Sequence, residues 1–309
     1  MVYRVAVMGL GKIARDEHLP AIAKSDSFEL VATVSSRGED VGVPTFTSLA
    51  ELVASSIEVD AMSLCMPPMA RFDIAREALD AGFHLLLERP PTSTVGQLDA
   101  LLAHAAERER VVFTAWHSRH NAAVREAANR LAGSTVRRMR IIWKEDVRFW
   151  HPGQEWIWEP GGFGVFDPGI NALSLIPEIL PEPVVVSDAE ISIPANRSTP
   201  IAASIRFRPV SGRDADLTAE FDWLQPGEPS WDIDIETATG MTLQLSKGGA
   251  ELRVDGSFVD TGDIGEYDDI YRRFASLLTS GESDADGQPL QLVADCFTIG
   301  RRVEVNAFA

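Results

Sequence analysis

The chain has 309 residues, 45% apolar and 24% charged, with a formal net charge of −18. That length accommodates two domains with buried cores, and the composition is that of an ordinary globular protein. The acidic balance excludes an extended nucleic-acid-binding face and attraction to anionic membranes. It is compatible with one anionic cofactor held by local positive charge.

The N-terminal "MVYRVAVMGLGKIA" lacks the long apolar run and cleavage site of a signal peptide. No segment is long enough to span a bilayer, so a cytoplasmic location is expected. Short apolar runs then alternate with helical patterns. Strands are expected at Tyr3 to Met8, Leu30 to Ser35, Ala61 to Cys65, Phe83 to Leu87 and Val111 to Ala115. Apolar residues at three- and four-residue spacing predict helices over Arg71 to Ala81 and Val95 to Arg110. This alternation predicts a parallel sheet covered on both faces. The fourth strand ends in Glu88-Arg89-Pro90-Pro91; two prolines stop the ladder and place a permanent cation at the carboxyl end of a buried strand.

The second part differs. Val136 to Val147, Val184 to Ile193, Ile201 to Arg208, Leu217 to Trp223, Trp231 to Thr237, Met241 to Leu245 and Glu251 to Val254 read as strands. Tight turns such as "TATG" and "VDGS" predict antiparallel pairing. Helices are expected at Asp269 to Thr279 and Pro289 to Glu304, with "SGESDADGQP" an exposed acidic turn between them. The pattern changes near residues 117 to 135. The expected domains are 1–120, dinucleotide-binding, and 121–309, for substrate binding and oligomerisation. Cys65 and Cys296, the two cysteines, lie in apolar or helix-like runs and read as buried thiols. No metal-ligand spacing appears.

"VAVMGLGKIA" is G-x-G-x-x-A at the end of the first strand. Gly9 permits the tight turn, Gly11 lets the backbone approach a pyrophosphate, and Ala14 allows close helix–strand packing. The following helix aims its first amides at phosphates. The second strand carries no acid for a ribose 2′-hydroxyl. It ends in Ser35, Ser36 and Arg37, a hydroxyl and guanidinium set suited to a 2′-phosphate, so NADP is favoured with NAD tolerated.

Residues 143–180 hold four of the seven tryptophans, Trp143, Trp150, Trp156 and Trp158. Tryptophan faces stack on sugar C–H surfaces, and Glu145, His151 and Asn171 could bind hydroxyls; the same tryptophans could equally fill a core. In "FDPGIN", Asp167 reads as an N-cap before Pro168 at the first helical position. Asn171 falls one turn further along the same face. A carboxylate and a carboxamide there can bracket one hydroxyl, the carboxylate accepting its proton.

The stretches "GLGKIARDEHLPAI", "SLCMPP", "ERPP", "TAWHSR", "WKEDVRFWHPGQEWIWEPGG" and "GVFDPGINALS" together resemble the Gfo/Idh/MocA oxidoreductase family, over essentially the whole chain. The resemblance implies a Rossmann domain followed by a mainly antiparallel α/β domain, with substrate between them. It implies oxidation of an aldopyranose such as L-arabinose or D-galactose at C1 to the aldonolactone, with hydride transfer to NADP or NAD. Asp167 and Asn171 match the family's catalytic pair. His117, Glu145, Trp150, His151 and Trp231 match sugar contacts, and Ser36 and Arg37 the NADP-phosphate contacts. Lys12, Ile13, Pro67 and Glu88 join Gly9 and Gly11 as expected cofactor contacts. The family's lysine in Glu-Lys-Pro is here Arg89, which can donate hydrogen bonds but cannot exchange a proton. An alternative follows: a sugar- or nucleotide-binding protein of impaired activity on the same fold. Homodimerisation is the family expectation.

Overall fold

The structure, a computed structural model, describes residues 2–36, 38, 41–262 and 264–308. The chain forms two compact units, residues 1–117 with 265–287, and 118–264 with 288–309.

The first unit runs β1 (Tyr3–Met8), a π-helical turn (Ala14–His18) leading into α1 (Leu19–Lys24), β2 (Phe28–Val34), β3 (Thr45–Phe46), α2 (Leu49–Ala54), β4 (Ala61–Leu64), α3 (Pro68–Asp80), β5 (His84–Glu88), α4 (Val95–Glu107) and β6 (Val112–Ala115). Ser48 and Thr94 cap α2 and α4, each side-chain oxygen accepting the backbone N–H three residues on. The six strands form a parallel sheet in the order β3-β2-β1-β4-β5-β6. Side chains alternate between two apolar layers, as the strand repeat requires. Val5, Val7 and Leu86 join one layer; Ala6, Leu85 and Leu87 join the other. The first layer is completed by Tyr267, Ile270, Tyr271, Phe274 and Leu277, from a helix far down the chain over Glu266–Ser280.

The stretch expected as an exposed acidic turn does more than that. Asp284 exchanges backbone hydrogen bonds with β6, donating to Val112 O at 2.9 Å and accepting from Thr114 N at 3.0 Å. The Trp116 indole donates to Asp286 O at 3.0 Å. Residues 284–288 are consequently half-buried, because the β6 edge would otherwise leave ladder groups unpaired.

The second unit begins with α5 (Ala122–Leu131), β7 (Val136–Lys144) and α6 (Val147–Trp150). The strand expected to reach Val147 stops at Lys144, because the Asp146 carboxylate accepts Arg148 N at 2.9 Å and caps α6. Then come α7 (Phe166–Ile179), β8 (Val184–Pro194), β9 (Ala202–Pro209), β10 (Asp216–Asp222), β11 (Ser230–Thr237), β12 (Thr242–Ser246), β13 (Glu251–Val254) and β14 (Ser257–Val259). The chain re-enters the first unit as α8 (Glu266–Ser280) and returns as α9 (Gln288–Ile299) and β15 (Arg301–Val305). The nine strands lie in the order β14-β13-β12-β11-β7-β10-β9-β8-β15. Pairing is antiparallel except β7–β10 and β8–β15. The expected helix over Pro289 to Glu304 is therefore two elements: Arg301-Arg302-Val303-Glu304-Val305 takes the two-residue repeat and pairs with β8. Among the described residues, no helix is long and apolar enough to cross a membrane.

Almost every residue of α7 is buried, the pattern of a helix enclosed on all sides. It starts two residues earlier than Asp-Pro suggests. Val165 already has helical φ and ψ, so Asp167 sits in the first turn and no side-chain cap forms. The N-cap expectation for Asp167 is corrected: the backbone N–H of Asp167 is satisfied by Gly164 O at 2.8 Å instead.

Candidate active site

The glycine loop of the first unit has two different demands. At Gly9, φ is +91°, and a Cβ would lie 2.8 Å from Met66 N. Only glycine satisfies both the turn and the contact with the end of β4. At Gly11 a Cβ would meet nothing within 4 Å, so the backbone is bare on that side. Ala14 is fully buried, as close packing behind the loop requires. This is the cradle a pyrophosphate needs: a tight turn, exposed main chain and a helix start. Lys12 is exposed and pairs with Asp16; Ile13 is half-buried at the helix start. Ser36 is exposed in the turn after β2, and Pro67 is exposed just before α3. Arg37 lies outside the described residues.

At the end of β5, Glu88 turns inward. Its carboxylate accepts Tyr267 OH at 2.6 Å, His18 Nε2 at 3.0 Å and the backbone N–H of Arg89 at 3.0 Å. The other His18 nitrogen meets Tyr271 OH at 2.8 Å, which also meets Ser63 Oγ at 2.9 Å. Burial would push the Glu88 carboxyl up; His18, Arg89 and Tyr267 reverse that and hold it down at about 2. Burial pushes the His18 imidazole down, but Cys65, Tyr271 and Glu88 raise it well above its usual value. Glu88 and His18 thus form a buried ion pair under the Arg89 main chain. The Arg71 guanidinium donates to the carbonyls of Met66, Glu88 and Pro90, fixing the same turn from beneath. Beside it, His117 pairs with Glu266 at 2.7 Å, which raises the imidazole against its burial. The roles of His18, Tyr267 and Tyr271 are not marked by spacing, because their partners lie 70 to 253 residues away.

In the second unit a buried carboxylate organises a cluster of rings. Glu145 accepts His151 Nε2 at 3.1 Å, Trp223 Nε1 at 3.3 Å and Trp231 Nε1 at 3.0 Å. The Trp150 and Trp231 rings lie 5.0 Å apart, and His151 lies 5.3 Å from Trp223. Trp150 is 37% exposed, so part of its indole is open near these polar groups. Trp158, by contrast, is buried between Trp223 and Phe308 and fills core. From α7, Asp167 brings Oδ2 to 3.8 Å from His151 Nδ1. One turn on, Asn171 is buried, and its Oδ1 has no hydrogen-bond partner among the described residues. Glu145, Trp150, His151, Trp231 and Asp167 are therefore assembled within one unit, with Asn171 on the same helix. Trp223, unmarked by the sequence reading, belongs with them.

Residues 3–116 match the profile of an oxidoreductase family with an NAD-binding Rossmann fold, Gfo/Idh/MocA. A galactose 1-dehydrogenase from Pseudomonas fluorescens is 44% identical over 305 residues, 99% of this chain and 98% of that protein. The crystal structure of a D-galactose-1-dehydrogenase from Rhizobium etli superimposes with a TM-score of 0.94 at 47% identity, covering 100% of this chain and 98% of that one. A 3-ketoreductase from Actinomadura kijaniata, solved with TDP-benzene and NADP, has a TM-score of 0.83 at 19% identity over 99% of this chain and 100% of its own, a likeness of fold alone. Full-length identity at this level, on a sheet pair and a glycine loop of the right form, places the chain in the Gfo/Idh/MocA family of NAD-binding oxidoreductases.

Proposed function

We propose that the protein is an aldose 1-dehydrogenase that oxidises D-galactose and L-arabinose at C1 to the aldonolactone, with NADP preferred over NAD. The observation that carries this reading is the pair on α7. A buried carboxylate and a buried carboxamide with an unpartnered Oδ1 stand one turn apart beside a tryptophan-lined polar floor. Its similarity to two galactose dehydrogenases over full length supports the substrate class. The bare backbone at Gly11 and the positive-φ turn at Gly9 fit a dinucleotide.

When bound, the nicotinamide supplies the hydride acceptor for C1. Asp167 accepts the proton of the anomeric hydroxyl, and Asn171 orients the sugar through its amide. Glu145 and His151 hold sugar hydroxyls, with Trp150 and Trp231 against the C–H face. Arg89 and His117 donate hydrogen bonds to the sugar, and the fixed charge of Arg89 lowers the energy of a developing alkoxide. The inward engagement of the Glu88 carboxylate favours a role in setting the Arg89 turn. Ser36, with Arg37 next in sequence and Ser35 rather than an acid at the end of the second strand, supports NADP. No observation favours the non-catalytic alternative. Homodimer formation and a cytoplasmic location are proposed from the family resemblance.

An absorbance assay of nicotinamide reduction with both sugars and both cofactors tests this. Both sugars should be oxidised, faster with NADP. Asp167→Asn should lose about 100-fold or more in kcat while still binding cofactor. No turnover of either sugar would overturn the reading, and an active Asp167→Asn enzyme would remove the base assignment.

A further inference from the structure

We propose that Glu145 and His151 form a proton-relay pair that serves Asp167, so that His151 acts through Asp167 in addition to lining the pocket. The proposal rests on the reading of Asp167 as the base and deepens it. The Glu145 carboxylate is 3% exposed and faces three donors, among them His151 Nε2 at 3.1 Å. A carboxylate accepts only, so it fixes the neutral imidazole as the Nε2–H tautomer. The remaining nitrogen, Nδ1, is then a lone pair. It is buried, without a hydrogen-bond partner among the described residues, and 3.8 Å from Asp167 Oδ2. A small carboxyl rotation brings that pair into hydrogen-bond range, and such contacts tighten when substrate loads. Within the second unit, the titratable groups that face the imidazole are Glu145, after β7, and Asp167, on α7; the Trp223 ring packs beside it at 5.3 Å.

The protons balance as follows. The C1–O–H bond breaks and its proton passes to Asp167 Oδ2. The C1–H pair of electrons leaves as hydride to the oxidant of the proposed reaction, NADP, and C1 becomes the lactone carbonyl. The new Asp167 acid gives its proton to His151 Nδ1, forming an imidazolium between two carboxylates. Asp167 is then an anion again, and because Nδ1 is buried the imidazolium gives its proton to water that enters as the lactone leaves, restoring the neutral Nε2–H form for the next turnover. Without the relay, Asp167, which is 5% exposed, must discharge its proton without a neighbouring base.

Two measurements test the pair. Nitrogen-15 NMR of the cofactor-free protein at pH 8 should show His151 protonated at Nε2 and bare at Nδ1, and Glu145→Gln should weaken that preference. A His151 ring protonated at Nδ1 alone would overturn the proposal. Kinetically, His151→Ala should lower kcat about 10- to 100-fold with KM changed less than about threefold, with a larger solvent isotope effect; added imidazole should restore part of kcat. A loss confined to KM, or one that imidazole does not relieve and that leaves the isotope effect unchanged, would reduce His151 to a sugar contact. Wild-type turnover together with an inactive Asp167→Asn protein isolates failure of the relay from failure of the base assignment. An active Asp167→Asn enzyme fails both.

Discussion

Glu88→Gln is the sharpest perturbation of the first unit. The carboxylate receives three donors, His18 Nε2, Tyr267 OH and Arg89 N, and the amide keeps one acceptor oxygen where it had two. At least one donor is left facing an NH₂, and His18 loses its counter-charge in a buried site. The carboxyl is held at about 2 in the fold against its usual 4.5, a difference corresponding to about 3 kcal/mol. Loss of one partner from a buried pair is expected to cost a similar amount. Because the folded pKa is depressed, this stability is present above about pH 4.5 and is lost as pH falls through about 2, with roughly half gone by pH 3. His18 runs the other way. Its raised pKa adds stability below about pH 6.5, which fades as pH rises through its folded value. The Glu88→Gln penalty should therefore be greatest between about pH 5 and 6.5. Hydrogen exchange read by mass spectrometry on β1 and β5 reports it locally. Protection factors at pH 6 should drop about 100-fold, and clearly less at pH 3. A drop below about threefold at pH 6, or one independent of pH, would refute the assignment of stability to this ion pair.

The glycine loop separates stability from cofactor binding. Gly9→Ala puts a Cβ 2.8 Å from Met66 N at a φ of +91°, so both melting temperature and cofactor affinity should fall. Gly11→Ala meets nothing in the protein, so melting should hold within about 2 °C while NADPH affinity, followed by fluorescence titration, drops about tenfold. Equal effects of the two on affinity and melting would mean the loop is purely structural. Arg89→Lys introduces a cation that titrates. The lysine variant should oxidise sugar faster and gain an alkaline limb in its pH–rate profile that the guanidinium form lacks; identical profiles would mean that the cation's proton exchange is irrelevant.

The first sheet was legible because β1 and β4 to β6 are short apolar runs fully enclosed between helices, and because Gly9 punctuates the first of them at its end. Alternation carried β8 to β13 almost as well. The C-terminal helix was overrun because Arg301 to Val305 is too short for its two-residue repeat to stand out from a neighbouring helical pattern. The Asp-Pro signature at α7 was read two residues late; the chain enters the helix through Val165, which carries no capping side chain. The α7 pair and Glu145 were visible as residue types at a local spacing. The ion pair beneath Arg89 was not, since His18 and Glu88 are 70 residues apart and the Tyr271 hydroxyl that orients His18 is 253 residues from it. Trp223 was missed for a related reason: on an alternating strand it reads as core, and only the proximity of Glu145 gives its N–H a purpose.

The return of α8 to the first sheet has a consequence for how the molecule is made. Tyr267, Ile270, Tyr271, Phe274 and Leu277 fill the layer against Val5, Val7 and Leu86. At about 2 kcal/mol for each buried apolar side chain, they supply about 10 kcal/mol, comparable to the whole stability of a typical domain. A nascent chain that has emerged only as far as His117 holds the strands but not their cover. The nucleotide-binding half must wait on the ribosome until some 160 later residues have been translated, and a truncated message would yield an open, aggregation-prone sheet instead of an autonomous half-enzyme.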